Sequence, residues 1–534
     1  MGDKIEKLYQ IYDLLNEASD KSKHECEYLE ILEAARGSDK EKKLATQFIG
    51  KFFKFFPSLS ETAIDRQLDL CEEDDVLIRR MAIKELPTFC KDAKENTPRI
   101  SDILAQLLNS SDPNELQQVN LSLQLLAKFD AIGTISGLFH QIKQGDENVR
   151  LRCLEFVGNK IMKNTEIMTK PIEEFIIAEI KKLLQDVSAD EFQKCIQILS
   201  ATNLGTSITG HQEIVKLCAE QADIDTNVSD ISDDIYIFLT CVNQALPFFS
   251  SKIESTTFVK HTCEKLLPLD FWHLIGAADD DQTQIQLRLL KVFAELCAHC
   301  GSLENPKEKI ETVFNVLMEF LPPPPEDMNE TPLILFSHVE CLLYAIHALG
   351  KQSPEYLSFK DDEPKLKDFR ARLQYLARRT QGYVKKLQTD IKEETVDPKT
   401  DEEKIKIIGL KTTSNIQTLI RDLYHPSYKS VINLSWTNEK AKTPTNSITA
   451  PAATKTNEQS NNTNNRKRPI AFTKKDGPSN HKQAKQMYSP PSGKFSSRIG
   501  TQSSQNNNKF NNFRGKFRGR RNDKPYNNNK NRQY

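Results

Sequence analysis

Residues 75–86 read DVLIRRMAIKEL and residues 146–157 read DENVRLRCLEFV. In register, both begin with an aspartate (Asp75, Asp146). An aliphatic residue and an arginine follow (Ile78-Arg79, Val149-Arg150), then a small residue (Ala82, Cys153) and a second aliphatic one (Leu86, Val157). Two looser copies place Ala45 and Leu123 at the position of Ala82, so the steps along the chain are 37, 41 and 30 residues. Apolar positions three and four apart predict helices. A unit recurring at this spacing predicts helical hairpins stacked side by side.

This spacing fits repeats of the HEAT type. The small residue lets neighbouring helices approach, and the aspartate and arginine are placed to bond along the stack. Each hairpin lacks a core of its own and draws its stability from its neighbours. Outward from the repeat, helical patterns follow one another from the first residues to about Leu423, with no sustained period-two alternation. From Asp39 to Phe56 the residues Leu44, Phe48, Ile49, Phe52, Phe53, Phe55 and Phe56 share one side, and Pro57 is expected to end the helix. Lys40, Lys43, Lys51 and Lys54 form a basic stripe opposite, either a solvated face or a ligand for an acidic partner. Pro322 to Pro325 predict a loop, Asp397-Pro398 a break between two long helices, and PSYKSVINLSW (426–436) has a strand-like composition.

The 534 residues are 38% apolar and 28% charged, with only 19 glycines, a composition that favours helices. The net charge of −1 hides an asymmetry. From Ala441 to Tyr534 stand 20 Lys and Arg against Glu458, Asp476 and Asp523, a charge of +17, whereas the preceding 440 residues sum to −18. Beyond Lys440 the chain loses its apolar residues and gains Asn, Ser, Pro and Lys, so it is expected to be disordered. The N-terminus has no apolar signal core, and no stretch reaches the roughly 18 apolar residues of a membrane span. Eleven unclustered cysteines point to reduced thiols in the cytosol or nucleus.

A search for catalytic motifs finds no GxxxxGK[ST], GxGxxG, HExxH or GxSxG. Cys297-Ala-His-Cys300 lacks a second ligand pair nearby and reads as a buried helix end. Asp279 to Asp281 read as a solvated loop. No cofactor is expected. Leu104-Ala-Gln-Leu107-Leu108 fits either core packing or an LxxLL groove ligand. Leu366, Leu373, Thr380 and Leu387 recur every seven residues, which offers a leucine zipper. With Phe369, Leu376, Ala377 and Val384 the stripe widens to that of a core helix. Lys367, Arg370, Arg378 and Lys385 stand beside it. In the tail, Arg466-Lys467-Arg468 with Lys474-Lys475 resembles a two-part nuclear localisation signal. The segment containing Phe513, Arg514, Lys516, Phe517, Arg518, Arg520 and Arg521 interleaves rings with cations, a pattern that suits RNA of low sequence specificity.

Several segments together resemble the apoptosis inhibitor 5 family, also called antiapoptotic clone 11 or fibroblast growth factor 2-interacting factor. They are KEKKLATQFIGKFFKFFP (40–57), QLDLCEEDDVLIRRMAIKELPTF (67–89), FSHVECLLYAIHALG (336–350), LKDFRARLQYLARR (366–379), PSYKSVINLSW (426–436) and YSPPSGKFSS (488–497). The resemblance spans almost the whole chain. It implies an all-α, right-handed, curved solenoid with HEAT-like repeats in residues 1–200 and armadillo-like repeats in 201–437. The latter include the zipper-like helix 365–389, and the basic tail occupies 438–534. It further implies a mainly nuclear protein, partly cytoplasmic, that suppresses programmed cell death through partners such as acinus and fibroblast growth factor 2. The family's leucine zipper falls on Leu366, Leu373, Thr380 and Leu387, with Thr380 in place of a leucine.

The expectation is a non-catalytic, monomeric nuclear scaffold that restrains apoptosis through protein contacts and carries RNA on its tail. The alternative is a nuclear RNA-processing, export or transport adaptor.

Overall fold

The computed structural model describes residues 2–91, 93–225, 231–277, 282–325, 332–356, 362–393, 401–424 and 429–437. In chain order the helices are α1 (Gly2–Glu17), α2 (Glu25–Ala34), α3 (Asp39–Phe52), α4 (Ser60–Cys71), α5 (Val76–Glu85), the short α6 (Thr88–Lys91) and α7 (Thr97–Gln106). Next come α8 (Pro113–Phe129), α9 (Ala131–Gln144), α10 (Glu147–Phe156), α11 (Lys170–Leu183), α12 (Ala189–Ser200), α13 (Ile208–Gln221) and α14 (Ile231–Ala245). The last are α15 (Thr256–His261), α16 (Leu269–Ala277), α17 (Gln282–Cys297), α18 (Pro306–Phe320), α19 (Phe336–Leu349), α20 (Glu363–Glu393) and α21 (Asp401–Tyr424). Among the described residues there is no strand, only an isolated bridge between Ser250 and Ile253.

The helices form an all-α solenoid. One row runs α1, α3, α5, α8, α10, α12, α14, α17, α19 and α21, each meeting the next; α8 meets α10 through the π-helical turn Val157–Ile161 that prolongs it. Second-row helices α2, α4, α7, α9, α11, α13, α16, α18 and α20 each pack on the first-row helix that follows. A single apolar core threads the stack from Leu8 to Leu434. Large buried rings mark its length, among them Tyr28, Phe52, Phe139, Phe192, Phe258, Phe314 and Phe369. The repeat positions Ala45, Ala82, Leu123 and Cys153 are all fully buried and sit on four consecutive first-row helices. Close approach has its own signature at Gly137 of α9. A Cβ there would fall 2.4 Å from the Pro98 carbonyl oxygen of α7, so only glycine fits.

The helix starts follow from local chemistry. Ser38 and Ser188 form capping boxes with Glu41 and Glu191, and the Asp75 carboxylate accepts from the Leu77 amide at the start of α5. Two expectations require correction. The helix that begins at Asp39 is α-helical only to Phe52. A 3-10 turn, Phe53–Phe55, tightens the chain before Pro57, which opens another short 3-10 turn, Pro57–Leu59. The described part of the strand-like segment, 429–436, forms no strand: it is irregular to Leu434, turns at Ser435 and is bonded to the last helices. The Ser430 amide donates to Asp422 of α21 (3.0 Å), and the Ser435 amide and hydroxyl donate to Glu340 of α19 (3.1 and 2.6 Å). The Trp436 indole donates to Glu295 of α17 (2.8 Å). Glu340 is fully buried, so these donors replace the water it gives up.

Candidate partner-binding surface

Neighbouring hairpins are tied by ion pairs spaced one repeat apart. Lys42 meets Glu73 (2.7 Å) and Lys43 meets Asp75 (3.0 Å), which link α3 to the start of α5. Arg79 of α5 reaches Glu115 of α8 (2.9 Å), and Arg150 of α10 reaches Glu191 of α12. Lys143 meets Glu179 (2.7 Å), and Lys309 meets Glu264. Both repeated arginines bond along the stack, and so does Asp75. Each arginine seeks a glutamate in the third position of the next first-row helix, and Asp75 receives Lys43 from the helix before. That glutamate partner left no mark in the sequence, because an acid three residues after a cap is the ordinary chemistry of a helix start.

The ladder takes one lysine of the predicted basic stripe, and aromatic rings take two more. Lys43 is held by Asp75; Lys51 lies 4.1 Å over the Tyr12 ring and donates to its hydroxyl; Lys54 lies 5.1 Å over Phe55. Lys40 is exposed. Leu104, Leu107 and Leu108 of the LxxLL match are buried in the core. The cysteines are free thiols, most of them buried, and burial pushes Cys195 up to about 12 and Cys300 up to about 11. Among the described residues no cluster of three His, Cys, Asp or Glu is placed to hold a metal ion.

The zipper-like helix belongs to the longest hairpin among the described residues, α20 against α21. Leu373 and Thr380 are fully buried, Leu387 is buried, and Leu366 is half-buried. Phe369 completes the same face and meets Phe314 of α18 edge-on, with ring centres 5.0 Å apart. Arg372 reaches back to the Leu321 carbonyl at the end of α18. The heptad therefore packs inside the solenoid, and Thr380 satisfies its hydroxyl on its own helix at the Ala377 carbonyl.

Away from this buried seam the hairpin offers two exposed surfaces. The first is apolar: Ile405 and Ile408, three apart on one side of α21, are 68% and 45% exposed, and Ile407 (57%) points to another side. Gly409, next to Ile408, approaches Tyr383 of α20, whose hydroxyl would be 3.7 Å from a Cβ placed there. The second is the opposite face of α20, where Lys367, Arg370, Gln374, Arg378, Gln381 and Lys385 are all exposed. Lys386 of α20, three residues after Tyr383, and Lys404 of α21, which precedes Ile405, are both exposed. Among the described residues no helix is long and apolar enough to cross a membrane. The nuclear-signal residues Arg466, Lys467, Arg468, Lys474 and Lys475, and the RNA candidates from Phe513 to Arg521, lie outside the described residues, as do Asp279 to Asp281.

A family model described as apoptosis inhibitory protein 5 matches residues 5–525, nearly the full chain. The chain belongs to the apoptosis inhibitory protein 5 family. The apoptosis inhibitor 5 homolog of Drosophila melanogaster is 51% identical over 510 residues, covering 93% of this chain and 94% of that one. Apoptosis inhibitor 5 of Homo sapiens is 42% identical over 540 residues, covering 97% and 96%. A more distant relative, the apoptosis inhibitor 5-like protein of Oryza sativa, is 28% identical over 479 residues, covering 82% and 86%. The likeness to family members therefore takes in both the stack and the terminal hairpin.

Proposed function

We propose that this chain is a non-catalytic nuclear scaffold that restrains apoptosis through protein–protein contacts, with a basic tail that addresses it to the nucleus and contacts RNA. Membership of the apoptosis inhibitory protein 5 family from residue 5 to 525 carries this reading. The folded body supplies the protein contacts. An exposed apolar surface on it is offered by Ile405 and Ile408 of α21, with Lys404 next to Ile405 in sequence. An apolar centre with a cation beside it suits a partner that offers an apolar anchor next to an acidic group. Acinus and fibroblast growth factor 2, named by the family resemblance, are the first partners to try.

The tail supplies address and RNA contact. Arg466-Lys467-Arg468 with Lys474-Lys475 serves import, and Phe513 to Arg521 offers rings to bases and guanidinium groups to phosphates. A nuclear RNA-processing or export adaptor is the second reading, favoured by that same aromatic and basic tail.

Crosslinking and pull-down from nuclei, comparing the full chain with one ending at Lys440, tests the first reading against the second. For the scaffold, protein partners and protection from cell death persist when the tail and its RNA are gone and import is restored by an added signal. Loss of protection together with RNA identifies the adaptor.

A further inference from the structure

The basic face of α20 is at odds with the rest of the body. Residues 201–356 contain nine basic and 23 acidic residues, whereas the 31 residues of α20 contain nine basic and four acidic. Along the solenoid, lysines and arginines are drawn into the ladder between hairpins. On α20 the division is by face. Lys365 turns to Glu311 and Arg372 to Asp368 and the end of α18, on the packed side. The outer side keeps Lys367, Arg370, Gln374, Arg378, Gln381 and Lys385, one or two per turn, with no carboxylate in the row. Arg370 is steadied over the Tyr424 ring (5.4 Å) and Gln374 by the Tyr424 hydroxyl (3.1 Å). At 1.5 Å per residue the row runs straight for about 27 Å.

We infer that this outer face of α20 is a phosphate-backbone contact surface for single-stranded RNA, built into the folded body and independent of the tail. The residue types decide between partners. A protein interface needs a desolvated aromatic or aliphatic anchor at its centre, and this row holds none. A phosphodiester backbone needs cations and neutral hydrogen-bond donors in line, repeated at short intervals, which is what Lys, Arg and Gln provide here. The row reads no bases, so its binding is indifferent to sequence and strongly dependent on salt. The apolar patch on α21 remains a separate surface, and the assignment does not rest on the scaffold reading.

The test uses the full chain and a fluorescein-labelled oligouridylate of about 20 nucleotides. One variant combines Lys367→Gln, Arg370→Gln, Arg378→Gln and Lys385→Gln; a second combines Arg514→Gln, Arg518→Gln, Arg520→Gln and Arg521→Gln. All four α20 positions are exposed, so helical content and melting temperature should match the parent protein. Anisotropy titrations at several salt concentrations should show the first variant binding roughly tenfold or more weakly at moderate salt. Its log–log salt slope should be shallower by about three, from about 0.7 per lost phosphate contact. The same drop should appear when these changes are added to the second variant. An unchanged slope in the first variant overturns the assignment. So does polyglutamate of equal charge competing as well as RNA, which would make the row a docking face for acidic protein.

Discussion

The Arg79 guanidinium on α5 donates a 2.9 Å hydrogen bond from Nε to Oε2 of Glu115 on α8, and both side chains are buried. The same arginine holds the Glu73 carbonyl (2.6 Å) and the Asp74 carbonyl (3.1 Å) of the turn before its own helix. One side chain thus fixes a helix entry and joins two hairpins. Arg150 makes the same kind of link two first-row helices later, where Glu191 accepts both its guanidinium (2.9 Å) and the Ser188 amide (2.8 Å).

Breaking such a pair from one side leaves a buried charge alone. Arg79→Ala should therefore lower unfolding free energy by about 3–5 kcal/mol, read by urea denaturation. Replacing both partners, as Arg79→Met with Glu115→Leu, should return most of that loss. A single variant as stable as the parent chain would show that the ladder is ornamental.

The terminal segment should behave as a fastening. Ser435→Ala removes one of the donors to buried Glu340 and should cost about 1.5–3 kcal/mol, the usual range for a hydrogen bond to a charged group. Hydrogen exchange should quicken in α19 and α21 before any other part of the stack. Uniform exchange rates in the variant would contradict this role.

Stability should fall on mild acidification. Burial, the largest cause, holds His261, His299 and His347 below the usual histidine value of 6.5; at His347, Asp422 opposes the shift and Lys351 adds to it. The folded chain keeps these rings neutral where the unfolded chain takes up protons. Their contribution is complete above pH 6.5 and is lost progressively as the pH drops from 6.5 through their lowered folded values. Melting temperature should decline in that window, and the decline should flatten in His261→Gln with His347→Gln. A melting temperature constant down to about pH 5 would be inconsistent with it.

The heptad should act through packing. Leu373→Ala opens a cavity between α20 and its neighbours and should cost about 2–5 kcal/mol. In light scattering the parent chain should show a mass near 61.0 kDa, independent of concentration, because the heptad leucines are occupied within the chain. A concentration-dependent dimer that Leu373→Ala dissolves, with no loss of stability, would restore the zipper.

The parts of this fold that could be read in the sequence are those set by local period. Ala45, Ala82, Leu123 and Cys153 betrayed the stack because burial recurs with each hairpin. The inward turn of Leu373 was legible because Phe369 and Leu376 widen the stripe beyond a two-helix seam. Long-range partners were not legible. Glu115 stands 36 residues from Arg79, and Ser435 stands 95 from Glu340. The composition of 426–436 suggests a strand, yet the described part is bonded to carboxylates on three helices, two of them far away in sequence. The exposure of Ile405 and Ile408 is not legible for a related reason: an apolar run does not show whether anything covers it.

The measurement that bears most directly on the scaffold reading is caspase activation in cells depleted of this protein and given an apoptotic stimulus. Re-expressed parent chain should restore protection, whereas Ile405→Asp with Ile408→Asp, exposed changes that leave the fold intact, should not at equal nuclear abundance. Equal protection by the two would contradict a mechanism that works through the hairpin surface.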